Sequence, residues 1–190
     1  FQRFYPGTPW APYREQVLKV RSQLLQFCEE VIDRYRLAEA DIIGFTSMFT
    51  QNVPIMALAR LIKERNPDAL IVIGGANCEA PMGAVIAELI PAVDFIFSGP
   101  ALETFPSLVR CVLDGDPQAA DAIPGIVSRR NCREPDARDA LGHEHNIDDV
   151  CPPAYDSFIR ALDDHKDLER SGTEKPVLPF ETSRGCWWGE

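Results

Sequence analysis

Residues 41 to 75 constrain the fold of this chain more than any other stretch. Asp41 to Thr46 reads as a strand, Ser47 to Asn52 as a polar loop, and Val53 to Asn66 as a helix; Ala69 to Ile73 reads as a second strand, ending on Gly74 and Gly75. The first strand is a nearly continuous apolar run, the pattern expected when helices cover both faces of a parallel sheet. Ile55, Leu58, Ala59 and Ile62 recur at helical spacing, with Asn52 and Pro54 at the helix start and Pro67 just past its end. One βαβ crossover implies parallel strands. Ligands of open parallel sheets bind outside the carboxyl ends of the strands, where Thr46, Ser47, Gly74 and Gly75 fall.

The rhythm extends on both sides. Between charged residues, Val17, Val20, Leu24, Phe27, Cys28, Val31 and Tyr35 recur at helical spacing over Tyr13 to Leu37, predicting a helix whose stripe packs on the sheet. No strand precedes that helix, so the domain is expected to lack its first strand. Downstream, Ala80 to Ile90 reads as a helix with Val85, Ile86 and Leu89 inward, Val93 to Phe97 as a strand, and Leu102 to Leu113 as a helix showing Phe105, Leu108, Val109 and Val112. Asp114 to Pro117 is a stop, and Gly125 to Arg129 offers a short last strand. Strands alternating with helices make a doubly wound α/β sheet the expected class. Residues 1–130 form this domain. Residues 131–176 are charged and broken by prolines and glycines, a linker with one short helix at Tyr155 to Leu162; residues 177–190 begin a new strand at Val177 to Thr182.

Composition narrows the partners. In 190 residues there are 19 basic and 29 acidic side chains, a net charge of -10, which gives no electrostatic footprint for nucleic acid or an anionic membrane. No apolar run is long enough to span a bilayer. The six cysteines lack CxxC or zinc spacing and fit free thiols in a reducing cytoplasm.

The loop Thr46 to Asn52 supplies hydroxyls, amides and a helix amino terminus but no group that ionises near neutrality, which favours binding over acid/base catalysis. The alternative is that Ser47, Thr50 and Asn52 satisfy helix-end amides. Gly74 and Gly75 give close backbone access where a Cβ would obstruct. Neither GxGxxG nor GxxxxGK[ST] is present, which disfavours dinucleotide and triphosphate sites. Glu79 and Glu103 are the carboxylates near strand ends.

Phe45-Thr46-Ser47, Gln51-Asn52-Val53, Leu58-Ala59-Arg60, Gly74 through Glu79, and Pro81-Met82-Gly83 resemble the amino-terminal, cobalamin (B12)-binding domain of radical SAM enzymes that mature ribosomally synthesised, bacteriocin-type peptides (RiPPs). Ser183 through Glu190 is similar to the start of the radical SAM barrel in that family, whose first of three cysteine ligands to a [4Fe-4S] cluster would be Cys186. The resemblance implies a Rossmann-like fold followed by a linker and the first strand of a truncated barrel. It implies a cobalamin pocket built by Thr46, Ser47 and Met48, by Gly74, Gly75, Ala76 and Asn77, and by Ser98, Gly99 and Glu103. It also implies a parent enzyme using S-adenosylmethionine and a [4Fe-4S] cluster on a precursor peptide, possessing further cysteines that this amino-terminal fragment lacks, so the fragment alone is expected to be inactive. The family's third-loop Gly-Glu is Gly99-Pro100 here. Of the Asp-x-His-x-x-Gly signature, Asp163 and His165 match but Leu168 replaces the glycine, so His165, like His143 and His145, is read as a linker histidine. Two other readings stay open: a peptide or partner docking module that binds no corrinoid, and a plain corrinoid carrier for which Cys186 is irrelevant.

Overall fold

The computed structural model of the chain describes residues 11–143, 153–164 and 178. The chain divides into two compact units, Phe1–Glu144 and His145–Glu190. In the first, helix α1 (Ala11–Arg34) is followed by strand β1 (Ile42–Thr46), helix α2 (Asn52–Arg65), strand β2 (Leu70–Gly74), helix α3 (Met82–Leu89), strand β3 (Phe95–Phe97), helix α4 (Thr104–Leu113), strand β4 (Ile126–Ser128) and the short helix α5 (Pro135–Arg138). The sheet order is β1-β2-β3-β4, with the first three strands parallel and β4 antiparallel to β3. Strands β1 to β4 and helices α1 to α4 lie within a few residues of their predicted bounds, whereas α5 falls in the stretch read as linker.

Alternation along β2 shows why helices cover both faces. Ile71 and Ile73 point to one side and join Ile43, Ile96, the α2 residues Ile55, Ala59 and Ile62, and the α3 residues Ala84 and Ala87. Val72 points to the other side with Phe95, Phe97, Ile126 and Leu108 of α4. Burying such side chains stabilises by roughly 1.5–3 kcal/mol each, so the two layers hold the doubly wound sheet together. The final strand reverses because a 3-10 segment, Pro117–Ala122, follows α4 and packs with it, returning the chain to the carboxyl end of β3. There the Ser98 amide donates to the Gly125 carbonyl at 2.8 Å. Buried Asn131 locks the turn after β4, its Oδ1 accepting from Ser128 N and its Nδ2 donating to the carbonyls of Asp121 and Ile126.

Three packing expectations are corrected. The α1 stripe does not lie on the sheet: α1 enters the core through Ile32, while Val17, Val20, Leu24 and Phe27 are exposed. In α3 the inward face is Gly83, Ala84, Ile86 and Ala87, and Val85 and Leu89 face solvent, because the helix approaches the sheet closely enough to need small residues. Phe105 of α4 is also exposed, contacting Phe97 edge to face rather than entering the layer.

In the second unit, helix α6 (Asp156–Asp164) carries Phe158, Ile159 and Leu162 on one side. The predicted strand at 177–182, apart from Leu178, lies outside the described residues, as do Cys186 with its neighbours, His145 and His165.

Candidate functional site

The carboxyl ends of β1 and β2 are joined by their loops. The Ser47 amide donates to the Gly74 carbonyl at 2.7 Å, and the Asn77 amide donates to the Ser47 carbonyl at 3.2 Å. Ser47 is fully buried, and its hydroxyl donates to Asn52 Oδ1 while accepting from Asn77 Nδ2 at 3.0 Å. That same Asn77 nitrogen reaches the Phe49 carbonyl at 3.2 Å. Gly75 has φ +98°, and a Cβ there would sit 2.5 Å from the Ser47 carbonyl oxygen. Only glycine permits this approach. Ser47, Asn52, Gly75 and Asn77 therefore act as one clasp between the first two loops. Ser47 and Asn52 bond one another across the loop, whereas the Met48 amide is satisfied by Gln51 Oε1.

A second close approach explains the Pro81-Met82-Gly83 segment. A Cβ on Gly83 would lie 2.4 Å from the Cys78 carbonyl oxygen, so α3 starts directly on the short 3-10 turn Ala76–Cys78. Cys78 is sealed beneath this turn, and burial pushes its thiol up from 9.0 to about 11.

Outside the clasp a neutral rim faces solvent. Thr46, Met48 and Ala76 are exposed and Gly74 is half-buried. Phe49 is 88 % exposed and holds φ 48°, an uncommon conformation for a bulky residue. Phe49 was not among the predicted site residues; the signal available was a lone aromatic in an otherwise hydroxyl-rich loop.

The third loop is committed differently. Ser98 is buried, and its hydroxyl accepts from the Ala80 amide at 3.1 Å while its carbonyl accepts from the Gly142 amide at 2.7 Å. Gly99 (φ +90°) and Gly125 (φ +85°) both lie under Gly142: a Cβ on Gly125 would meet Gly142 N at 2.3 Å. Residues 141 and 142 thus cross the end of β3, and Ser98 and Gly99 hold that crossing rather than the rim. Glu103, at the entrance to α4, lines a cavity of about 290 Å³ with Thr104, Ser107, Ile123, Pro124, Leu141 and His143. His143, read from sequence as a linker histidine, belongs to the first unit and to this strand end. Nothing in the spacing of residues 131–143 announced that return.

A larger cavity, about 820 Å³, opens at the opposite, amino ends of β2 and β3 between α2, Leu25, Pro67 and Ile90–Ala92. It holds none of the predicted site residues. Among the described residues no group of three or more His, Cys, Asp or Glu could hold a metal ion, and no helix is long and apolar enough to cross a membrane.

The rim suits a large ligand fringed by amides and methyl groups. It presents a hydroxyl, backbone groups and apolar side chains, with no charged group among Thr46, Met48, Phe49, Gly74 and Ala76 to be desolvated without a partner. The corrin ring and side chains of cobalamin have that chemistry, so the residues fit the cofactor. No curated protein matches the chain. The family model for the B12 binding domain matches residues 13–109, more than half of its length and spanning the clasp, the rim and the first turns of α4. The chain belongs to the B12-binding domain family.

Proposed function

We propose that this cobalamin-binding domain serves a radical SAM enzyme that modifies, in one form by methylation, a ribosomally synthesised precursor peptide. The observation that carries this reading is the neutral clasp and rim at the carboxyl ends of β1 and β2, in a chain whose sequence continues to the Ser183-Arg184-Gly185-Cys186 segment. Thr46, Met48, Gly74 and Ala76 would contact the corrinoid. Ser47, Gly75 and Asn77 would set the spacing of the two loops that bear them, and Ser98, Gly99 and Glu103 would shape the far wall. When bound, the corrinoid supplies a cobalt able to carry a methyl group. Cys186 would be the first ligand of a [4Fe-4S] cluster that cleaves S-adenosylmethionine; the remaining cysteine ligands would belong to the parent enzyme. The free thiols of Cys28, Cys78, Cys111 and Cys132 suit a reducing cytoplasm.

The test uses the parent enzyme reconstituted anaerobically with iron and sulfide. Cys186→Ala is expected to abolish iron loading and cleavage of S-adenosylmethionine while leaving corrinoid retention intact. Unchanged activity in that variant would favour a plain corrinoid carrier.

One observation favours a second reading. Met48, Phe49, Val53 and Met82 are large apolar side chains exposed around the first two loops, a surface that a peptide could dock on. If the parent loads iron and binds S-adenosylmethionine but retains no corrinoid, the domain is a docking module.

A further inference from the structure

Helix α1 is anchored at its carboxyl end, where Ile32 is buried and Cys28 packs against the core, and exposes apolar side chains over the rest of its length. Leu18 and Leu25, two heptads and one heptad before Ile32, are 46 % and 57 % exposed. Roughly a third of a turn away run Val17, Val20, Leu24, Phe27 and Val31, spaced by three and four residues in alternation. The first four are 45 %, 56 %, 49 % and 60 % exposed. This is the a/d pattern by which a helix seats its side chains between those of another helix, and its 3.5-residue period keeps the seam on one side along the helix.

The charge along α1 selects the occupant. The first half carries Arg14, Lys19 and Arg21 against Glu15; the second carries Glu29, Glu30 and Asp33 against Arg34. That polarity opposes what the helix's own dipole favours, since cations gather near the positive end and anions near the negative end. A helix with the same sequence running the other way places its anionic half beside the cationic half of α1 and relieves both.

We propose that α1 forms an antiparallel pair with α1 of a second copy of this chain, through Val17, Val20, Leu24 and Phe27. In an antiparallel pair, a positions meet d positions, so Val17 faces Phe27 of the second copy and Val20 faces its Leu24. Each layer then combines a small side chain with a larger one. A parallel pair would stack Phe27 on Phe27 and set like charges side by side along both halves.

Sedimentation equilibrium of the 190-residue chain and of three variants tests the pairing. Dimer is expected at tens of micromolar, and Leu24→Glu, which alters an exposed position and leaves the core intact, is expected to sediment as monomer. Arg14→Glu with Arg21→Glu makes both halves of α1 acidic and is expected to weaken dimerisation by about tenfold, a difference of ~1.4 kcal/mol. Adding Glu29→Lys and Glu30→Lys to that variant inverts the whole pattern and restores the affinity. A wild-type chain that remains monomeric, or a dimer that survives Leu24→Glu, overturns the proposal. A dissociation constant indifferent to the charge reversal overturns the antiparallel orientation.

Discussion

At the amino ends of β2 and β3 the sheet is tied by charge, whereas at the carboxyl ends of β1 and β2 the inter-loop ties are neutral. Lys63 Nζ lies 2.8 Å from Asp94 Oδ2, and that carboxylate also accepts from the Ile71 amide at 2.7 Å. This half-buried knot fixes β3 against β2 next to the larger cavity. At the other end the clasp consists of one hydroxyl, two amide side chains and a glycine. The contrast separates room from chemistry. The larger cavity lies at the end whose polar groups already satisfy one another, while the end without charge presents an open rim. A bulky, amide-fringed ligand can lie on such a rim without stripping water from an ion.

Perturbing each end in turn sharpens that distinction. The largest effect is expected at Gly75→Val, which places a branched Cβ on the Ser47 carbonyl at positive φ; unfolding in urea should show a loss of about 3 kcal/mol, from strain and collision together. Gly44→Ala is its control. Gly44 lies one strand away, and its Cβ would meet only Val72 at 3.7 Å, so the urea midpoint should barely move. At the amino end, Asp94→Ala orphans the Ile71 amide and leaves the Lys63 ammonium with the Pro67 carbonyl alone, and should cost about 2 kcal/mol. Corrinoid retention per folded molecule should not change, because the two ends do different work.

Asn77→Ala is a smaller perturbation of the clasp. It removes the bonds to Ser47 and Phe49, for about 1 kcal/mol of stability, and should weaken corrinoid binding by more than Asp94→Ala does. The smallest expected effect comes from pH. The Cys78 thiol is raised from 9.0 to about 11 by burial, so folding holds its proton more tightly than the unfolded chain does. Its contribution is fully present below pH 9 and declines as pH rises toward 11. Cys78→Ala should flatten that part of a stability profile measured by circular dichroism.

Much of this fold was legible because parallel strands announce themselves. Apolar runs ending on Thr46-Ser47 and Gly74-Gly75, separated by a helical period, leave few alternatives to a βαβ unit. The clasp was partly legible: Ser47, Gly75 and Asn77 were named as ligand contacts, and the geometry shows Ser47 bonded to Asn77 with Gly75 packed against the Ser47 backbone, a role that spacing cannot distinguish from ligand contact. Periodicity gave α1 its apolar seam but not the partner of that seam, since an amphipathic stripe records a face and not what covers it. Val85 and Leu89 were misplaced because the close approach of α3, dictated by Gly83, is a tertiary fact. Gly142 and His143 were missed for a related reason. Their return over Gly99 and Gly125 depends on three glycines far apart in sequence, none of which carries a local pattern.

The most direct test of the central claim is the absorbance spectrum of the protein after incubation with hydroxocobalamin and desalting, for the wild type and for Ala76→Trp. Ala76 is exposed on the rim, so its replacement should change stability by less than about 0.5 kcal/mol. About one corrinoid should be retained per wild-type chain, as expected for a single rim, and the variant should lose it. Retention undiminished by Ala76→Trp would contradict the placement of the site, and no retention by folded wild-type protein would contradict corrinoid binding by this chain.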